Sequence, residues 1–282
     1  MTLTRYVSLV KFEHTIFALP FAYVGAFLAV DGIPSLHDLL WITVAMIGAR
    51  SLAMGLNRLI DASIDGRNPR TAAREIPSGR LSEPQVAIFC LVSLGVFLLA
   101  VWQLDPIVRW LWPIPLAGFV IYPYLKRFTW LSHLWLGAVD GLAPVGAWVA
   151  ITGELPLEAW LLGAAVACWV AGFDCFYALL DLDFDRREGL KSVATAFGER
   201  GAFWGARILH VATIGFLIWA GLLLDIGVFY WLGVAAVGVL LIYEHSLVKP
   251  DNLRRLDAAF FLVNGIISVT FFAFVLLDVL VD

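Results

Sequence analysis

The chain has 282 residues, of which 61 % are hydrophobic and only 15 % charged, whereas soluble domains carry roughly 25 % charged residues. That balance excludes an ordinary soluble domain and describes an integral membrane protein. A net charge of −4, with the basic residues in short clusters and not in a stripe, gives no hint of nucleic-acid binding.

A spanning helix needs about 20 mostly apolar residues. Nine such runs are predicted, at 15–31, 38–60, 85–104, 107–125, 132–152, 157–181, 203–224, 228–247 and 258–280. The N-terminal stretch MTLTRYVSLVKFEHTIFALPFA has no small-residue cleavage site after its apolar part and reads as a mature first helix, not a signal peptide. Glu13 and His14 sit near the start of that first run, placed either to line a cleft or to cap the helix.

The second run leads into NRLIDASIDGRNPRTAAREIPSG, residues 57–79. Asn57, Asp61 and Asp65 follow at steps of four, which on an α-helix turn about 400° each, so the three side chains share one face and drift by about 40° per step. Arg67, Arg70 and Arg74 come next. Arg50 lies two turns deeper on the same face, where a cation is costly unless paired.

The fourth run holds Pro113, Pro115 and Pro123, which membrane helices tolerate where neighbours satisfy the freed carbonyls. Cys90, Cys168 and Cys175 fall in apolar runs without CxxC spacing and read as small core residues. The sixth run ends in GFDCFYALLDLDFDRREGLKS, residues 172–192. On a continuous helix Asp174, Asp181 and Asp185 fall within about 40° of one line, with Tyr177 about 60° to the side and Asp183 pointing away as a cap. A shift of 120 residues lays Asn57, Asp61 and Asp65 onto Tyr177, Asp181 and Asp185, a hint of an internal repeat that the flanking residues do not extend.

Orientation follows from Lys and Arg. Arg5, Lys11, Arg67, Arg70, Arg74, Arg80, Lys126, Arg127, Arg186, Arg187, Lys191, Arg200, Arg207, Lys249, Arg254 and Arg255 all fall on one side of the nine-span arrangement. Arg109 stands alone opposite, and Arg50 and Arg58 lie within the second run. The N-terminus and the basic loops are therefore expected in the cytoplasm.

That asymmetry alone does not explain the acids crowding the same boundary. Two faces that share three or more carboxylates suit hard cations, and Mg²⁺ usually takes one or two carboxylates per ion together with substrate phosphates. The adjoining arginines and lysines suit the non-bridging oxygens of a phosphate or diphosphate, Arg as a fork and Lys as a point charge. Simple acid–base pairing across loops is the plainer alternative, but it requires no helical phase among the acids. The histidines His14, His37, His133, His210 and His245 are scattered and suggest no zinc site.

NRLIDASIDGRNPRT resembles the first aspartate-rich motif of the UbiA superfamily of intramembrane aromatic prenyltransferases, and DCFYALLDLDFD resembles the second. YPYLKRFTWLSHLWLG, with Pro144, Gly146 and Trp148, resembles the family's helix 4–5 segment. FEHTIFALPFA and YEHSLVKPDNLRRLDAAFF resemble the 4-hydroxybenzoate polyprenyltransferase subgroup and its relatives in menaquinone synthesis. The repeated aspartates of CDP-alcohol phosphotransferases are a poorer match, because Asp65-Gly66 is followed by Arg67-Asn68-Pro69-Arg70.

The resemblance implies an all-α membrane bundle, one polytopic domain over 1–282, with its cleft on the cytoplasmic side of the inner or plasma membrane. It implies that Asp61, Asp65, Asp181 and Asp185 hold Mg²⁺ bridged to a prenyl diphosphate, with Asn57 and Asp174 completing or orienting that shell. Arg67, Arg70, Arg74, Lys126 and Lys191 become the diphosphate residues, with Arg127 and Ser192 behind them. Charge neutralisation lets diphosphate leave, and the ring position ortho to a phenol attacks the allylic cation. Diphosphate or a motif carboxylate takes the ring proton. Tyr122, Tyr124 and Tyr177 are placed to stabilise the cation through their ring faces or to sit as interfacial aromatics. Arg50 either reads the carboxylate of the aromatic acceptor or pairs with Asp140, an acid where the family suggests an apolar residue. 4-Hydroxybenzoate and a dihydroxynaphthoate both meet this description, and no protein partner is evident. A cation- or proton-coupled transporter would place acids deep in its spans, and an assembly protein needs no paired carboxylate faces.

Overall fold

The computed structural model describes residues 2–10, 15–248 and 262–281. Lys11, Glu13, His14, Lys249, Arg254 and Arg255 lie outside the described residues, as do parts of the two subgroup segments at 12–22 and 243–261. The described residues form helices α1 (Thr2–Val10), α2 (Thr15–Val30), α3 (Leu36–Ile60), α4 (Ala62–Arg67), α5 (Glu83–Gln103), α6 (Val108–Leu111), α7 (Pro113–Leu125), α8 (Ser132–Thr152) and α9 (Leu157–Tyr177). A 3₁₀ turn (Ala178–Asp181) leads into α10 (Leu182–Glu188), followed by α11 (Val193–Leu223), α12 (Val228–Leu247) and α13 (Asn264–Val281).

Local sequence accounts for the ends. Ser35 caps α3 by accepting from the Asp38 backbone N–H at 3.1 Å, and Ser82 opens α5 with its N–H donating to Gln85 Oε1 at 2.9 Å, both satisfying otherwise unpaired end groups. α8 stops at Gly153, whose φ of 71° only glycine adopts without strain.

Among the described residues, seven helices are long and apolar enough to cross a membrane: α3, α5, α8, the continuous Leu157–Glu188 stretch, α11, α12 and α13. The other two predicted spans are shorter. α2 has 16 residues with Pro20 inside. The run predicted at 107–125 is divided at Trp112 into α6 and α7, because Pro113 has no N–H to continue α6 and instead sits in the first turn of the next helix. The 13 residues of α7 rise only about 20 Å, against about 30 Å of hydrocarbon. The helix predicted from 203 starts earlier, at Val193, and takes in Arg200 and Arg207.

α9 packs against both α8 and α11, α3 against α5 and α7, and α2 against α8 and α13. The main core joins Phe21, Trp148, Trp169, Phe173, Tyr230 and Phe271 from five of these helices. Cys90 and Cys175 are buried free thiols, as the sequence suggests. Large apolar residues such as Leu91, Val211, Leu222, Val239 and Ile242 face outward, the surface a multi-pass protein offers to lipid. Contact between α8 and α9 is backbone-close: a Cβ on Gly137 would stand 2.1 Å from the Ala167 carbonyl oxygen, and one on Gly141 2.4 Å from that of Gly163. Small residues at this seam let two spans approach without a hydrophobic drive between them.

Candidate active site

The two acidic segments meet across one cavity of about 300 Å³. Its wall includes Asn57, Asp61 and Asp65 from the first segment and Asp174, Tyr177, Asp181 and Asp185 from the second. Arg50, Arg70, Arg74, Tyr122, Lys126 and Lys191 line it as well. Arg67 does not. Its Nε donates to Glu188 Oε2 at 2.9 Å and its Nη1 to Ser63 Oγ at 2.9 Å, which turns the guanidinium outward. Tyr124 is also turned outward, with the Arg127 guanidinium 5.0 Å over its ring.

The helical phase expected of the acids does not hold unbroken. α3 ends at Asp61, whose backbone has φ −96° and ψ 2° before α4 begins. α9 gives way to the 3₁₀ turn at Ala178, and Asp181 takes φ −108° and ψ 4° before α10 begins. Both middle aspartates therefore occupy the bridge region of backbone space, where many active-site residues sit. The two breaks fall at residues 120 apart with similar backbone angles, and these breaks, not one straight face, aim the acids at a shared space.

Asp61, Asp65 and Asp181 each have a basic partner. Lys126 Nζ donates to Asp61 Oδ2 at 2.6 Å and Asn57 Nδ2 to the same oxygen at 3.1 Å. Arg74 Nη1 donates to both Asp65 oxygens at 2.7 Å. Arg70 grips Asp181 through Nε at 2.8 Å and through Nη2, while its Nη1 donates to the Tyr177 hydroxyl at 2.9 Å. Asn68, which sequence reading passed over, donates to Asp181 at 2.8 Å and accepts the Arg70 backbone N–H. The pairing of first-segment bases with a second-segment acid ties the two halves together. Opposition from buried carboxylates and attraction to buried bases are both expensive to leave unmet. Burial pushes the Asp61 carboxyl above its usual range, against the pull of Lys126. Burial works against the Arg70 charge, but its hydrogen bonds and attraction to Asp181 outweigh that and hold it above its usual range.

Do these residues fit a hard cation? The donor set is all carboxylate and amide oxygen, and Asp61 Oδ1 is buried without a hydrogen-bond partner among the described residues, with the Arg127 guanidinium 3.6 Å away. That oxygen is an acceptor of the kind Mg²⁺ takes. Among the described residues no three His, Cys, Asp or Glu side chains gather tightly enough to hold one ion by themselves. An ion here would complete its shell with oxygens from a ligand.

Two features were not foreseen. Arg58 is buried on the cavity wall beside Asn57. His133, dismissed among scattered histidines, sits in the wall with its Nδ1 2.6 Å from Asp174 Oδ2. The sequence did hold a signal for it: His133 lies seven residues, two turns, before Asp140 on α8. Deeper in, Arg50 Nη1 stands 3.6 Å from Asp140 Oδ1, so the ion pair considered for Arg50 is present, yet Arg50 Nε is buried without a hydrogen-bond partner. Arg50 and Asp140 also border a second, apolar cavity of about 290 Å³ lined by residues such as Ile42, Phe97, Leu111 and Val149.

Comparisons with known proteins agree with one another. The model of the UbiA prenyltransferase family matches residues 18–266. The 4-hydroxybenzoate octaprenyltransferase of Serratia proteamaculans is 34 % identical over 248 residues, covering 87 % of this chain and 84 % of that protein. The one from Pseudoalteromonas translucida is 33 % identical, covering 95 % and 92 %. Among solved structures, a UbiA homolog from Aeropyrum pernix K1 in its apo state superposes with a TM-score of 0.84 at 31 % identity, covering 94 % of this chain and 98 % of that one. A UbiA homolog from Archaeoglobus fulgidus bound to GPP and Mg²⁺ shares the fold, with a TM-score of 0.73 at 19 % identity over 99 % and 100 % of the two chains.

Proposed function

The chain belongs to the UbiA prenyltransferase family, and from that premise we propose that it transfers a polyprenyl group from its diphosphate to a hydroxylated aromatic acid, 4-hydroxybenzoate, in ubiquinone-type synthesis. Membership of this family favours an enzyme over a transporter. The observation that carries the reading is the pairing of two carboxylate sets with Arg70, Arg74 and Lys126 around one cavity.

In this reading Asp61, Asp65, Asp181 and Asp185 hold Mg²⁺, with Asn57 beside Asp61. The metal supplies charge neutralisation for the leaving diphosphate. Asp174 stands apart from that set, committed to His133. When the diphosphate enters, Arg70, Arg74 and Lys126 exchange carboxylate oxygens for phosphate oxygens, and Lys191, also in the wall, joins them. Arg67 is withdrawn from the group, since it faces Glu188. The prenyl C–O bond breaks and its electron pair leaves on diphosphate. Tyr122 and Tyr177, both in the wall, are the aromatic groups available to the allylic cation, Tyr177 with the Arg70 guanidinium 5.0 Å over its ring. The ring carbon ortho to the hydroxyl forms the new C–C bond and loses its proton to diphosphate or a motif carboxylate, restoring the aromatic ring. The acceptor carboxylate sits on Arg50, and the apolar cavity beyond it takes prenyl carbons. The whole chain acts as one domain of nine spans, α2 and the α6–α7 pair included, with the N-terminus and the cavity toward the cytoplasm of a cell's inner membrane.

The test incubates membranes containing the protein with Mg²⁺, a labelled prenyl diphosphate, and either 4-hydroxybenzoate or a dihydroxynaphthoate. Prenylated 4-hydroxybenzoate is expected, and folded Asp65→Ala and Asp181→Ala variants are expected to lose turnover. No product from any acceptor would sink the reading; unchanged rates in the variants would sink the metal assignment.

A further inference from the structure

His133 is 5 % exposed and lines the cavity from the first turn of α8. Its Nδ1 lies 2.6 Å from Asp174 Oδ2. A carboxylate can only accept, so the hydrogen in this contact belongs to Nδ1, and in the neutral ring Nε2 then carries the lone pair. Nε2 is buried and has no hydrogen-bond partner among the described residues. A buried acceptor left unmet costs about as much as a lost hydrogen bond. A pair that served only to tie α8 to α9 would not need such an acceptor in the cavity wall.

The position of this lone pair along α8 says what it awaits. Asp140, seven residues further, lies on the same face of the helix and about 10.5 Å deeper, and it is there that Arg50 stands. The cavity thus offers a cation at its deep end and a hydrogen-bond acceptor nearer the diphosphate residues. A ring with a carboxylate at one end and a hydroxyl at the other fills that gap.

We propose that His133, oriented by Asp174, accepts a hydrogen bond from the phenolic hydroxyl of the aromatic acceptor and so sets which ring carbon faces the departing diphosphate. The inference rests on the acceptor reading given above. Drawing the hydroxyl hydrogen toward Nε2 leaves more electron density on oxygen and hence on the ortho carbon, the one that forms the new bond. No covalent step and no net proton transfer is assigned to His133.

The experiment measures binding of 4-hydroxybenzoate and of benzoate, which keeps the carboxylate and lacks the hydroxyl, to the full-length protein in detergent with Mg²⁺, alongside turnover. The wild type is expected to prenylate 4-hydroxybenzoate and to prefer it over benzoate. In His133→Ala that preference falls about tenfold, while benzoate affinity holds. His133→Gln, whose amide can donate to Asp174 and still offer an oxygen, regains part of it. A wild type that prenylates 4-hydroxybenzoate beside an Ala variant with the same preference overturns the role of His133 and leaves the acceptor reading standing. Equal loss of both acids in the Ala and Gln variants also overturns it, as a packing effect. A wild type that prenylates other acceptors but not 4-hydroxybenzoate overturns the acceptor reading and this inference with it.

Discussion

Arg50 stands between the two cavities with Asp140 at 3.6 Å and an Nε that has no hydrogen-bond partner among the described residues. Pairing with Asp140 keeps a deep cation tolerable, and the Nε leaves a donor for a second carboxylate. The expected consequence is specific to charge. Arg50→Ala raises KM for 4-hydroxybenzoate by roughly 10- to 100-fold, the worth of a hydrogen bond between charged groups, and changes the methyl ester far less. Because this variant strands the Asp140 carboxylate, Arg50→Ala with Asp140→Asn is the control that separates acceptor recognition from a buried unpaired charge. An equal rise in KM for acid and ester would assign Arg50 to structure alone. The same two-sided character runs through the acids proposed to hold the metal. Lys126, Arg70 and Arg74 hold Asp61, Asp181 and Asp65 now, and are also the cations a diphosphate would find. Pairing across loops and ligand binding, read from sequence as rivals, are compatible in one site.

At the scale of the elements, what matters is where helices stop. Asp61 and Asp181 lie at matching breaks, with φ and ψ of −96° and 2° and of −108° and 4°. A straight helix would have spread the flanking acids along its axis, whereas the breaks turn Asp65, with Arg74, and Asp185 back into the wall. The other decisive element contact is the seam between α8 and α9, which brings His133 to Asp174. Its closeness depends on Gly137 and Gly141. Gly141→Val forces a side chain against the Gly163 backbone, and overpacking of this kind costs about 1–3 kcal/mol. A lowered thermal midpoint in detergent and reduced turnover are expected together. A variant with an unchanged midpoint would show that the seam does not carry the packing assigned to it.

For the whole molecule, the distribution of charge gives a direct prediction of sidedness. Ser78, in the basic loop after α4, and Glu154, after α8, are both exposed and belong to opposite faces in the proposed nine-span arrangement. A membrane-impermeant thiol reagent added outside intact cells should label Glu154→Cys and spare Ser78→Cys. Inverted vesicles should reverse the pattern. Labelling of both from one side would overturn the arrangement, and with it the entry of the diphosphate from the cytoplasm.

Much of this protein was legible in its residues alone. Apolar runs marked the helices because lipid leaves no alternative for unpaired backbone groups, and two aspartate-rich segments beside arginines announced the chemistry of the site. Spacing along the chain could not show which base meets which acid. It took the packed helices to place Asn68 and Arg70 on Asp181, to turn Arg67 out to Glu188, and to seat His133 on Asp174. Composition and local pattern respond to the solvent around each helix, which every segment experiences separately. The pairing of polar groups depends on where helices break and how closely their backbones meet, and those are settled only when the bundle is assembled.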